Sequence, residues 1–164
     1  MEKVIYWLLA NFFTWMAAVG LVQGLLTNTQ SRSRYDNVLR CLFLWYVGLA
    51  FTFSGVMHIF LGDLTAKQIG WANSPFQFEI GLANWSIAIL GFFSFFNTNK
   101  SVWLVSILAL IMQSTGAGFG HVYQLLVNND HAVSNAGLIM YTDLFVPLIM
   151  LGIWFKAEAT TRNG

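Results

Sequence analysis

Five apolar runs, each close to the length needed to cross a lipid bilayer, occupy most of this chain. They cover residues 4–26, 41–61, 75–96, 101–127 and 137–155. A helical span needs about 20 mainly apolar residues to cross ~30 Å of hydrocarbon. Only polar links separate the runs: TNTQSRSRYDNVLR, GDLTAKQIGWANS, NTNK and NNDHAVSNA. None is long enough to join two domains, so one transmembrane domain over residues 1–164 is expected. In lipid every backbone polar group has to be satisfied within the chain, and helices do that locally. The expected fold is therefore an all-α polytopic membrane bundle of five helices.

Composition agrees, with 57% hydrophobic and 9% charged residues against about 25% charged in an ordinary soluble domain. The net charge of +1 leaves no basic patch for nucleic acid. The single cysteine, Cys41, excludes an internal disulfide and a Cys-x-x-Cys-His haem attachment. The first run is too long for the ~7–15-residue core of a signal peptide and lacks a small-residue cleavage site, so it is expected to stay as a helix.

Cationic flanks are retained on the cytoplasmic side. Arg32, Arg34, Arg40, Lys100, Lys156 and Arg162 fall on one side of the five-span arrangement, and Lys3 and Lys67 on the other. This predicts the N-terminus outside and the C-terminus inside, in a bacterial inner (cytoplasmic) membrane. Trp71, Trp85, Trp103 and Trp154 lie near span ends, where interfacial anchors sit. Ser74-Pro75-Phe76-Gln77 combines a cap, a proline at the first helical position and a glutamine at the third. The third helix is predicted to start there. Asp63 caps a short interfacial helix, LTAKQIGW, or that stretch is an irregular loop.

Ionisable side chains inside a bilayer are costly and mark function. His58, Glu79, His121 and Asp143 lie in or beside four different runs, and at 1.5 Å rise per residue their depths agree within roughly 10 Å. Helical spacing supports inward faces: Phe51, Ser54, Gly55 and His58 form one small or polar stripe, and Ser114, Ala117, Gly118, His121 and Gln124 form another. On the third helix the expected inward face is Glu79, Ala83 and Ser86, with Asn84 turned partly aside. Asn11 lies at comparable depth on the first helix, either joining the cluster or making a lone interhelical bond. Asp143 is followed by Pro147, whose ring removes the N–H that would bond to the carbonyl of Asp143.

Several chemistries fit such a pocket. Two imidazoles with carboxylates suit a transition metal, with His58, Glu79, His121 and Asp143 as ligands. His58 and His121 could be axial ligands of a b-type haem, with Gly116-Ala117-Gly118-Phe119-Gly120 making room. A small redox-active or amphiphilic molecule such as a quinone or lipid headgroup fits polar groups above apolar walls, ringed by Trp71, Phe76, Trp85 and Tyr123. The alternative is a purely structural cluster in a non-catalytic accessory subunit of a larger membrane complex. Partners are the bilayer, with other subunits or a homo-oligomer. Gly20-x-x-x-Gly24 is a weak dimerisation signal.

The block IGW-x-x-SPFQ-x-E-x-G-x-AN, with GHVYQLL and NAGLIMYTDLFVP, resembles a family of small uncharacterised bacterial multi-span membrane proteins. FSGVMHIF looks more distantly like the DoxX-type membrane proteins, a likeness that implies quinone-linked redox chemistry.

Overall fold

A computed structural model describes residues 2–163, all of whose regular structure is helical. The helices are α1 (Glu2–Ala10), α2 (Phe12–Leu26), α3 (Arg34–Phe60), α4 (Gly62–Ile69), α5 (Phe76–Phe96), α6 (Lys100–Asn128) and α7 (Leu138–Asn163). Four segments are long and apolar enough to cross a membrane: α3, α5, α6 and residues Leu138–Thr160 of α7. Large apolar side chains such as Ile89, Phe96, Met112, Leu126, Ile149 and Phe155 are exposed along them. Apolar residues turned outward on long apolar helices are the pattern of a multi-pass membrane protein in contact with lipid.

The first apolar run differs from the expected single span, because it breaks at Asn11 into α1 and the shorter apolar helix α2. Asn11 has φ −107° and ψ 20°, and its side-chain amide donates to the Trp7 carbonyl at 2.7 Å. A short amide competing for a backbone acceptor opens the helix locally. Helical backbone bonds continue on either side, from Asn11 to Trp7 and from Trp15 to Asn11.

The second long helix begins at Arg34, seven positions before the run that announced it. Ser33 explains the early start. Its hydroxyl accepts from the Asp36 N–H and the Asp36 carboxylate accepts from the Ser33 N–H, a reciprocal capping box. Asp36 also pairs with Lys100 at the start of α6. Helix α5 starts at Phe76 with Pro75, not Ser74, at the cap position and no side-chain cap, and the Gln77 side chain bonds to His58. Helix α4 is present, but Asp63 lies inside its first turn and accepts from Asn73 instead of capping it. Leu64 is exposed, while Ile69 is buried and Trp71 half-buried, so the latter two turn inward.

Glycines set the helix pairings. Gly20 and Gly24 of α2 rest on the backbone of Cys41, Leu42 and Val38 in α3, so this Gly-x-x-x-Gly packs inside the chain. Gly48 and Gly91, then Gly55 and Gly81, bring α3 and α5 into backbone contact. One end of the bundle is a dry core in which Leu39, Phe43, Tyr46, Trp103, Ile107 and Met150 are fully or almost fully buried. Trp103 is 1% exposed and donates to the carbonyls of Ser94 and Asn97, so it is a core residue and no interfacial anchor. Helix α3 is π-helical over Phe43–Ala50, within this core, and α6 over Ile111–Thr115, beside the other end.

A polar cavity between the helices

That other end holds a partly open cavity of about 400 Å³. His58 near the end of α3, Gln77 at the start of α5, His121 late in α6 and Asp143 early in α7 all line it. Its apolar walls include Phe13, Phe51, Met57, Phe76, Ile80 and Ile139.

Two hydrogen-bonded groups face the space. In the first, His58 Nδ1 lies 2.6 Å from Gln77 Oε1, an arrangement in which the imidazole N–H donates to the amide oxygen. In the second, Tyr46, Ser114, Asp143, His121 and Asn135 follow one another. The Ser114 hydroxyl donates to Asp143 Oδ1 at 2.9 Å. The Tyr46 hydroxyl lies 3.2 Å from the Ser114 oxygen and donates to the Thr142 carbonyl at 3.3 Å. His121 Nε2 faces Asp143 Oδ2 at 3.8 Å, and His121 Nδ1 meets Asn135 Oδ1 at 2.8 Å. A third chain crosses the cavity wall: Gln113 donates to Asn84 at 3.3 Å and Asn84 donates to Ser54 at 2.9 Å.

The π-helical stretch Ile111–Thr115 supplies much of this. Gln113, Ser114 and Thr115 are consecutive, yet each bonds to a neighbouring helix: to Asn84, to the Asp143 carboxylate and to the Asp143 carbonyl. Regular α-helical turns spread three successive side chains over about 200°. π-helical turns recur at functional sites. The 3.3 Å bond from Thr115 satisfies the carbonyl that Pro147 leaves without its helical donor.

Of the residues singled out by sequence, His58, His121 and Asp143 are brought together around one cavity. Glu79 is exposed and Gln124 accepts a bond from Asn128; neither lines the space. Asn11 is buried but spends its amide on Trp7, leaving its neighbours Ala10 and Phe12 at the wall. Trp71 and Phe76 line the cavity, whereas Trp85 donates to the Thr52 carbonyl and Tyr123 is exposed. Asn84, expected to turn aside, is buried at the wall. The inward face of α5 is Gln77, Gly81 and Asn84, fixed by Gly81 against Gly55. Spacing of four and three already marks these as one face.

The donor set does not fit the metal centre considered above. Glu79 is outside, and among the described residues no three His, Cys, Asp or Glu side chains come together. Nor does the geometry suit bis-histidine haem ligation, since the His121 nitrogen that would meet iron faces a carboxylate at 3.8 Å. Within the glycine run only Gly118 is packed, against Leu144; Gly116 and Gly120 border the cavity, and a Cβ at either meets nothing within 4 Å.

No curated protein and no solved structure matches this chain. The likeness to DoxX-type proteins is not shown by these comparisons. The model of a family described as "Family of unknown function (DUF6790)" matches residues 7–163. The protein with this cavity therefore belongs to the DUF6790 family.

Proposed function

We propose that this is a small integral membrane protein that binds a small amphiphilic molecule in an intramembrane cavity. The observation that carries the reading is the cavity itself: about 400 Å³ of space with aromatic and aliphatic walls and a few convergent polar groups, His58, Gln77, His121 and Asp143. Ligand sites for small molecules have this size and this mixture. A purely structural polar network would close on itself. Here a Cβ at Gly120, on the border of the cavity, would meet no atom within 4 Å.

In the bilayer, the proposed arrangement has five crossings. Residues 2–26 stay helical apart from Asn11, which at 1.5 Å per residue gives about 37 Å, enough for a fifth span. The excess of Lys and Arg on the loops opposite the cavity supports a cavity that opens to the outer side of a bacterial inner membrane.

Purification in lipid nanodiscs followed by solvent extraction and mass spectrometry tests the reading. The expected result is an amphiphile retained in stoichiometric amount by the wild type and absent from Gly120→Leu, which puts a large side chain at the cavity border. Identical extracts, containing bulk lipid only, would overturn it.

A further inference from the structure

We infer that the cavity selects a ligand whose polar head is a hydrogen-bond donor, placed at the facing acceptors His121 Nε2 and Asp143 Oδ2. This rests on the binding function proposed above and specifies its ligand class.

The argument starts at Asn135, which is fully buried. Its amide nitrogen donates to the Asp130 carbonyl at 2.9 Å and to the His121 carbonyl at 3.4 Å. Those two bonds use both amide hydrogens and fix the orientation of the group, so Oδ1 is the atom that meets His121 Nδ1 at 2.8 Å. An amide oxygen can only accept. Nδ1 therefore carries the proton, and in neutral imidazole Nε2 is then a bare acceptor.

That acceptor faces a second one. Asp143 Oδ2 lies 3.8 Å from His121 Nε2, too far for a direct hydrogen bond. A donor atom placed about 2.8 Å from each lies at ordinary hydrogen-bond length. A head with two hydrogens donates to both acceptors, and a hydroxyl donates to one of them. Trp71, whose ring centroid is 6.3 Å from that of His121, lines the same cavity and has an indole N–H buried without a partner. At the other side of the cavity His58 repeats the same polarity, with Nδ1 donating to Gln77 and Nε2 left as acceptor. Both imidazoles thus present acceptors to the same space, and the aromatic wall takes the apolar body.

The test compares 4-hexylphenol with 4-hexylanisole, which has the same apolar body and ether oxygen but no donor. Binding to the protein in nanodiscs is followed by tryptophan fluorescence, with concentrations referred to the lipid phase. The expected result is about tenfold tighter binding of the phenol, the discrimination of one hydrogen bond to a strong acceptor. The expected ¹⁵N spectrum of the histidines has a protonated Nδ1 and an unprotonated Nε2 at His121, the latter shifting when the phenol binds. Equal affinity for the two probes would overturn the donor inference and leave the binding function standing. Binding of neither would overturn both.

Discussion

The Thr115 hydroxyl donates to the backbone carbonyl of Asp143 at 3.3 Å, and that carbonyl is the one Pro147 leaves without its helical partner. A proline in a spanning helix is tolerated when a neighbouring side chain satisfies the freed group. Here that neighbour stands next to Ser114, which holds the Asp143 carboxylate at 2.9 Å. One short stretch of α6 therefore fixes both the backbone and the side chain of the buried acid.

Thr115→Val is expected to cost about 1 kcal/mol, the usual contribution of one such bond. In a Pro147→Ala background the cost should fall close to zero, because residue 147 then supplies its own N–H. A double-mutant cycle of unfolding in detergent measures the difference.

Glycines that look alike in sequence should behave in opposite ways. A Cβ on Gly91 would meet Gly48 N at 2.6 Å and the Val47 carbonyl carbon at 2.8 Å, so Gly91→Ala should destabilise by about 1–3 kcal/mol through overpacking. A Cβ on Gly120 meets nothing within 4 Å. Gly120→Ala should leave stability unchanged or raise it by up to ~1 kcal/mol through helix propensity, while weakening ligand binding. Thermal unfolding and probe titration on the two variants separate these effects.

Gln77 and Glu79 stand two residues apart on α5, on different faces. Gln77 is buried against His58 at 2.6 Å and Glu79 is exposed. Gln77→Leu is expected to weaken binding of 4-hexylphenol several-fold, and Glu79→Gln to leave it unchanged. Fluorescence titration of both variants in nanodiscs checks the pair.

Asp143→Asn keeps an oxygen for the Ser114 hydroxyl but removes the carboxylate that faces His121. Folding should survive with a loss of about 1 kcal/mol, whereas Asp143→Ala, which also strands Ser114, should cost about 1–3 kcal/mol. Chemical unfolding distinguishes them, and a larger loss for the asparagine than for the alanine would contradict the assigned bonds.

These relationships show what a sequence of this kind discloses. Hydropathy located α5 and α6 to within a residue, because a run bounded by polar links has few other ways to fold in lipid. It missed the start of α3, where the signal is the short-range cap of Ser33 and Asp36 and the helix begins in polar residues. It also ran through Asn11, whose side chain breaks the first run by bonding to Trp7. That His58, His121 and Asp143 gather around one cavity was legible because ionisable groups are rare in such spans. Glu79 was misleading for the same reason: a charge draws the eye, but its helix turns Gln77 and Asn84 inward through the Gly55–Gly81 contact. Asn135 was hidden in a polar loop, and only its two amide bonds reveal that it sets the tautomer of His121. The π geometry that aims Gln113, Ser114 and Thr115 at two helices has no counterpart in the hydrophobic pattern.

The most direct test of the account is a titration of 4-hexylphenol against wild type and Gly120→Leu in nanodiscs, each first verified as folded. The cavity bordered by Gly120, His121 and Asp143 predicts saturable binding at one site per chain in the wild type and its loss in the variant. Identical, unsaturable uptake by both, as expected of partition into lipid alone, would contradict it.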